Sequence, residues 1–206
     1  MTLTVQDVVA WIKASNEKMQ ANKDYLTTLD QAIGDGDHGI NMARGFQEVV
    51  NKIENQDYTS SSDVLKDTAM TLMSKVGGAS GPLFGTAFLK LSTAVKGNDP
   101  VDYATFTNGL AEAVNGIKQR GKAAKGEKTL VDVWSPMVDF FNQEADFHTD
   151  KMAEEAKNAM EQTKDMMATK GRAAYFKERS IGHIDPGSAS SFYIFDALAD
   201  VIGGKA

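Results

Sequence analysis

Apolar residues recur every three or four positions along almost the whole of this 206-residue chain, and the strict alternation of a half-buried strand is essentially missing. That periodicity points to helices packed on helices. Thr4, with Asp7 three residues on, is a helix-start signature. Val5, Val8, Val9 and Ile12 then form the stripe of a first helix to about residue 20. Leu26, Leu29 and Ile33 mark a shorter helix over Tyr25 to Ile33, with Asp30 expected at its end. Further helices are predicted over Ile40 to Asn51, Ser60 to Val76, Gly81 to Val95 and Tyr103 to Ile117. Three more follow over Leu130 to Phe141, with Pro136 as a kink, Asp150 to Lys170 and Ser188 to Ile202. Gly77-Gly78 and Gly97-Asn98-Asp99-Pro100 are the clearest stops. Short loops make sequential helices antiparallel, so the reading is all-α, an up-and-down bundle in one domain over residues 1–206.

Composition excludes several classes of function. A hydrophobic fraction of 42% and a charged fraction of 24% are those of a soluble globular chain, and no apolar run approaches a membrane span. There is no cysteine, which rules out disulfides and thiol catalysis. Met1-Thr2-Leu3-Thr4 lacks the basic-then-apolar order of a signal peptide, so a cytoplasmic location and no membrane partner are expected. The net charge is −6. The one basic stretch, Lys118 to Lys128, is short, broken by glycine and without interleaved aromatics, which argues against nucleic acid as a partner.

The chemistry concentrates in one corner, Leu29 to Gly39, where Asp30, Asp35 and Asp37 fall within eight positions. Like charges this close repel unless something compensates them, and a divalent cation does so. Oxygen-only ligands on a glycine-rich turn suit Mg²⁺, Mn²⁺ or Ca²⁺, not zinc. A calcium loop of the EF-hand kind fails, because counting from Asp35 the fifth position is Gly39 and the twelfth is Phe46. An Asp-Gly turn can also be a solvated turn and nothing more. Here, however, Gly39 opens a helix whose free N–H groups favour an anion. Carboxylates for metal beside a helix start for phosphate can hold a metal–polyphosphate. His38 could act as a metal ligand, a nucleotide contact or a hydrogen-bond donor at the helix start.

Other informative residues also sit at helix ends. Gly78-Ala79-Ser80-Gly81 lets backbone N–H groups approach an anion, although a pair of ordinary helix caps is the alternative. No Walker A loop, Rossmann fingerprint or protein-kinase catalytic loop is present. Arg172, after Gly171, is in the usual case a solvated arginine; beside a phosphate, its planar fork suits two oxygens and charge stabilisation as a phosphoryl group leaves. His183 reads as a structural hydrogen-bond donor. In an up-and-down bundle alternate connections gather at one end, so the connections 30–41, 77–81, 121–130 and 182–187 can build one site.

Three stretches together resemble the nucleotide-binding L subunit of dihydroxyacetone kinases. They are Leu29-Asp30 with Gly34 through Met42; Gly77 through Thr86; and Gly171 through Tyr175 with Arg179 through Gly187. The likeness runs nearly end to end, in order and spacing. It implies roughly eight antiparallel helices closed into a barrel, which periodicity cannot distinguish from an open bundle, with the nucleotide site in loops at one end. It implies that Asp30, Asp35 and Asp37 bind magnesium. It further implies that His38, Gly39, Ile40 and Asn41 contact the nucleotide, as do Ala79, Ser80, Gly121, Leu130, Arg172 and the turn Asp185-Pro186-Gly187. Leu130 stands where relatives often carry Met, a volume-conserving change. With ADP bound, two Mg²⁺ ions leave a site charge of about −2 and a single ion about −4, so two are expected.

The implied activity is phosphoryl transfer to dihydroxyacetone held on a separate kinase subunit, with no protein nucleophile from this chain. At this length the chain resembles relatives that stand alone. In these a phosphohistidine subunit of the phosphoenolpyruvate phosphotransferase system recharges a retained ADP/ATP coenzyme. The alternatives are a subunit of an ATP-exchanging kinase, including the fatty-acid kinases that fuse further domains, and a nucleotide-dependent regulatory module that binds a transcription regulator.

Overall fold

The computed structural model describes residues 1–143 and 148–204. Among these residues the α-helices are α1 (Val5–Ala21), α2 (Lys23–Ile33), α3 (His38–Ile53), α4 (Ser61–Lys75), α5 (Ser80–Val95), α6 (Tyr103–Gly121), α7 (Val131–Gln143), α8 (Thr149–Gln162) and α9 (Pro186–Ile202). The only described strands, β1 (Thr2–Leu3) and β2 (Val101–Asp102), pair antiparallel with Leu3 opposite Val101. No described helix is long and apolar enough to cross a membrane.

The helices close into a ring. α1 packs on α3, each helix from α3 to α8 packs on the next, and α9 returns to α1. The implied eight-helix barrel is therefore present. α2 stands apart from the ring against α3 and α9 and leads into the acidic turn. The barrel is filled. Trp11 of α1, Phe88 of α5, Trp134 of α7 and Phe195 of α9 form a chain of ring contacts at 5.7, 6.5 and 4.9 Å. All four are fully buried. Each indole N–H has a partner: Trp11 donates to the Ile194 carbonyl at 2.8 Å and Trp134 to the Ser191 hydroxyl at 3.0 Å. These bonds satisfy polar atoms that burial would otherwise penalise.

The predicted capping box at the start of α1 is formed, with Thr4 and Asp7 bonded reciprocally. Several boundaries differ. α2 ends at Ile33 as expected, with Asp30 in its last turn, but starts two residues early, at Lys23. α6 runs past Ile117 to Gly121, and α9 begins two residues before Ser188 because Asp185 caps it and Pro186 suits the first turn. α7 continues through Pro136. The largest correction concerns the predicted helix Asp150 to Lys170, which stops at Gln162. Thr163–Asp165 tightens into a 3-10 turn and Met166 turns extended. The Thr163 and Met166 carbonyls, which a continuing helix would use, accept from the Lys128 ammonium instead.

Phe88→Ala, which removes the central link of the aromatic chain, should cost about 3–5 kcal/mol in urea unfolding. Tyr175→Ala, at a residue 84% exposed, should change stability by no more than about 0.5 kcal/mol. Equal small losses at both positions would show that the aromatic chain does not carry the core.

Candidate functional site

The α2–α3, α4–α5, α6–α7 and α8–α9 connections meet around one pocket. Its floor is built by the acidic corner. A Cβ on Gly34 would lie 2.0 Å from Asp30 Oδ1, so the chain can turn past this carboxylate only with glycine there. Asp30, 9% exposed, accepts the N–H groups of Asp37 at 2.9 Å and His38 at 3.1 Å. The last turn of α2 thus caps α3. Two of the four open donors of a helix start are spent on these two bonds. One carboxylate oxygen from each of Asp30, Asp35 and Asp37 lies within 4.8 Å of the others. A close set of hard oxygens without thiolate or imidazole fits Mg²⁺ or a similar cation.

His38 is buried and acts as a strut. Nε2 lies 2.8 Å from the Ser190 hydroxyl on α9, and Nδ1 lies 3.1 Å from the Ser80 hydroxyl at the start of α5. Burial pushes its pKa down to about 4, outweighing the opposing pull of Asp30 and Asp37. The ring is therefore neutral at pH 7, with one donor and one acceptor nitrogen, and hydroxyls can serve both. With both nitrogens engaged, His38 is not a metal ligand in this arrangement.

Across the pocket, Arg172 forms an ion pair with Asp35. The two side chains are 63% and 37% exposed, so the pair is worth little by itself and can exchange for a ligand. Asn41 is held by Arg44, which donates to its Oδ1 at 2.7 Å and to the Lys75 carbonyl at 3.1 Å, tying α3 to the end of α4. Asp185 caps α9 by accepting the Ser188 N–H at 2.7 Å and hydroxyl at 3.0 Å. Burial still pushes its carboxyl up to about 6.

The acidic compartment, about 170 Å³, adjoins an apolar slot of about 340 Å³. Leu83, Ile117, Ala123 and Leu130 line the slot, and Ala79 and Gly171 border both spaces. A charged end next to an apolar slot can take the phosphates and the base of a nucleotide. Among the predicted residues, Asp30, Asp35, Asp37, His38, Asn41, Ala79, Ser80, Leu130, Arg172, Asp185, Pro186 and Gly187 line the acidic compartment. Gly121 lines the slot. Gly39 and Ile40 line neither: a Cβ on Gly39 would lie 2.1 Å from the Lys23 carbonyl, so this glycine packs α3 on α2, and the Ile40 side chain is 52% exposed. His183 differs from its expected role, since its ring is exposed and its carbonyl is the group used.

Lys128, Thr129 and Lys170 also line the pocket and were not legible as site residues. Lys128 reads in sequence as one more charge in a basic loop. The available signal was its place just before α7, where Asp132 accepts the Thr129 N–H at 2.8 Å.

The DAK2 domain model matches residues 32–200. The ADP-binding subunit DhaL of PEP-dependent dihydroxyacetone kinase 1 from Listeria innocua is 48% identical, covering 96% of this chain and 97% of its own. The ADP-binding subunit DhaL of the PTS-dependent kinase from Lactococcus lactis is 45% identical, covering 97% and 99%. The corresponding Escherichia coli subunit is 38% identical, covering 97% and 98%. In fold, the chain matches the dihydroxyacetone kinase from C. freundii, crystallised with AMP-PNP and Mg²⁺, with a TM-score of 0.74 at 21% identity. The match covers 94% of this chain and 33% of that one, so the chain spans about a third of that kinase. With a family model over most of its length and relatives this similar from end to end, the chain belongs to the DAK2-domain family and, within it, to the DhaL subunits.

Proposed function

We propose that this chain is the ADP-binding subunit of a phosphoenolpyruvate-dependent dihydroxyacetone kinase, working in the cytoplasm. In this reading it keeps ADP/ATP and two Mg²⁺ ions as a retained coenzyme. A phosphohistidine subunit of the phosphotransferase system recharges the nucleotide, and a partner subunit presents dihydroxyacetone as acceptor. The observation that carries the reading is the acidic triad, faced by Arg172 and adjoined by an apolar slot, in a chain similar throughout to subunits of that description.

Asp30, Asp35 and Asp37 would hold the metal, which supplies neutralisation of phosphate oxygens. The start of α3 at Gly39 and Ile40, although it lies outside both compartments, would join the Asn41 side chain and the Ala79-Ser80 corner in orienting the phosphates. Arg172, once released from Asp35, offers a two-pronged contact to the phosphoryl group and moderates the negative charge of the site. Gly121 and Leu130 would border the base, and the Asp185-Pro186-Gly187 turn would close the wall between base and phosphates. Neutral His38 keeps Ser80 and α9 in register without adding charge to the phosphate end. Nothing in such a transfer needs a nucleophile from this chain; its part is to position the reactants and offset charge.

Three outcomes are expected. Protein purified, desalted exhaustively and denatured should release about one ADP per chain on ion-exchange chromatography; an empty protein that rebinds ATP reversibly would favour an exchanging kinase instead. Asp35→Asn and Asp37→Asn should keep the helical circular dichroism and lose the retained nucleotide, whereas loss of helix in step with nucleotide would assign these carboxylates to folding. Metal titration in the presence of ADP should resolve two sites, and a single site would remove the two-ion arrangement.

A further inference from the structure

Lys128 lies between α6 and α7 with its backbone in the left-handed region, at φ +60°, and its side chain is 1% exposed. Its ammonium donates to the Thr163 carbonyl at 2.6 Å, to the Met166 carbonyl at 3.2 Å and to the His183 carbonyl. An ammonium has three protons and accepts nothing, so its donors are fully committed and none is left for a phosphate. The three carbonyls belong to two segments outside the α-helices, the first opening with the 3-10 turn Thr163–Asp165. Residues 163–171 lead into Arg172, and residues 181–185 lead into the Asp185-Pro186-Gly187 turn.

These segments form a double strap across the pocket end. The Gly182 N–H donates to the Lys164 carbonyl at 2.7 Å, the Ala168 N–H to the Ser180 hydroxyl at 2.8 Å, and the Asp185 N–H to the Thr163 hydroxyl at 3.1 Å. Glu127 adds an outer tie, its carboxylate accepting the Thr169 hydroxyl at 3.2 Å. Apolar anchoring is limited: Ala168 and Ala173 pack with Ile33 and Ala32 in a small cluster apart from the main core, and, among the described residues, Ile184 is the strap's one apolar contact with that core. Polar bonds therefore hold the strap, and those from a charged donor are the strongest of them.

We infer that Lys128 is a positioning residue: its ammonium ties the Arg172 strap to the Asp185-Pro186-Gly187 turn and sets both against the nucleotide without touching it. The inference rests on the proposed nucleotide site. The test uses the full chain as wild type, Lys128→Met and Lys128→Gln, with hydrogen–deuterium exchange and Mg-ADP titration. Without nucleotide, both variants should exchange faster over residues 163–187, Lys128→Gln less so, while α1 and α3 to α6 stay protected. Mg-ADP affinity should fall by about 10- to 100-fold, the range typical when a group that orients a ligand contact is removed. In an Arg172→Ala background the further loss on Lys128→Met should shrink, because the two act through one strap.

Faster exchange throughout the helices in both variants would make Lys128 a general fold determinant and overturn the inference. Weaker ADP binding with unchanged exchange over 163–187 would make it a direct phosphate ligand, with the same consequence, as would additive losses with Arg172→Ala. A wild type that binds no Mg-ADP would remove the nucleotide site itself, whereas the nucleotide-free exchange pattern judges the tie separately.

Discussion

The Asp30 carboxylate joins the last turn of α2 to the first turn of α3 by accepting the amides of Asp37 and His38. Because the group is 9% exposed, these bonds are not interchangeable with bonds to bulk water. An amide left unpaired there would cost about 1–3 kcal/mol. Holding the start of α3 in this way places His38 where it reaches both Ser80 and Ser190, so α5 and α9 are registered against α3 through one imidazole. It also folds Asp35 and Asp37 back toward Asp30, within 4.8 Å. One buried carboxylate thus closes a loop, caps a helix and founds an acidic cluster. Gly34 is required because a Cβ there would collide with that carboxylate.

The rigid and adaptable parts of the molecule are separated along the barrel. The middle is filled by interlocking aromatics from α1, α5, α7 and α9, and close packing of this kind resists local opening. The pocket end is made of turns, a strap and helix starts, held mostly by hydrogen bonds and ion pairs. Elements with few buried apolar contacts open at lower free energy than a core, which suits a region that must admit and enclose a ligand. The Arg172–Asp35 pair belongs to this class: partly exposed and weak, it balances a carboxylate and is readily given up.

Charge is distributed to match. The chain is acidic overall, at −6, and three carboxylates crowd one corner of the pocket. The cations nearby are used in different ways. Lys128 is wholly committed to backbone carbonyls, Lys170 lies 3.8 Å from Glu127 at the rim, and, among the described residues, Arg172 alone reaches the triad. Neutral His38 adds no charge despite its position. The pocket is therefore short of positive charge in a way that divalent cations would correct.

Much of this was legible in the sequence. Helical spacing marked nearly every helix, the Thr4–Asp7 box marked the first start, and the acidic corner, Arg172 and the Asp185 turn stood out as chemistry at helix ends. These signals are local: periodicity, caps and turns depend on residues within about four positions of one another. Ring closure was implied only by resemblance, because an apolar stripe says which face is buried and not what covers it. The end of α8 at Gln162, the role of Lys128 and the strut made by His38 were decided by tertiary structure alone. Lys128 meets carbonyls 35 and 55 positions away, His38 meets Ser190 across 152, and Arg172 meets Asp35 across 137. Contacts at such separations exist only after the helices have packed, so the chain by itself determined its helices and its acidic corner, and packing decided which buried groups hold that corner together.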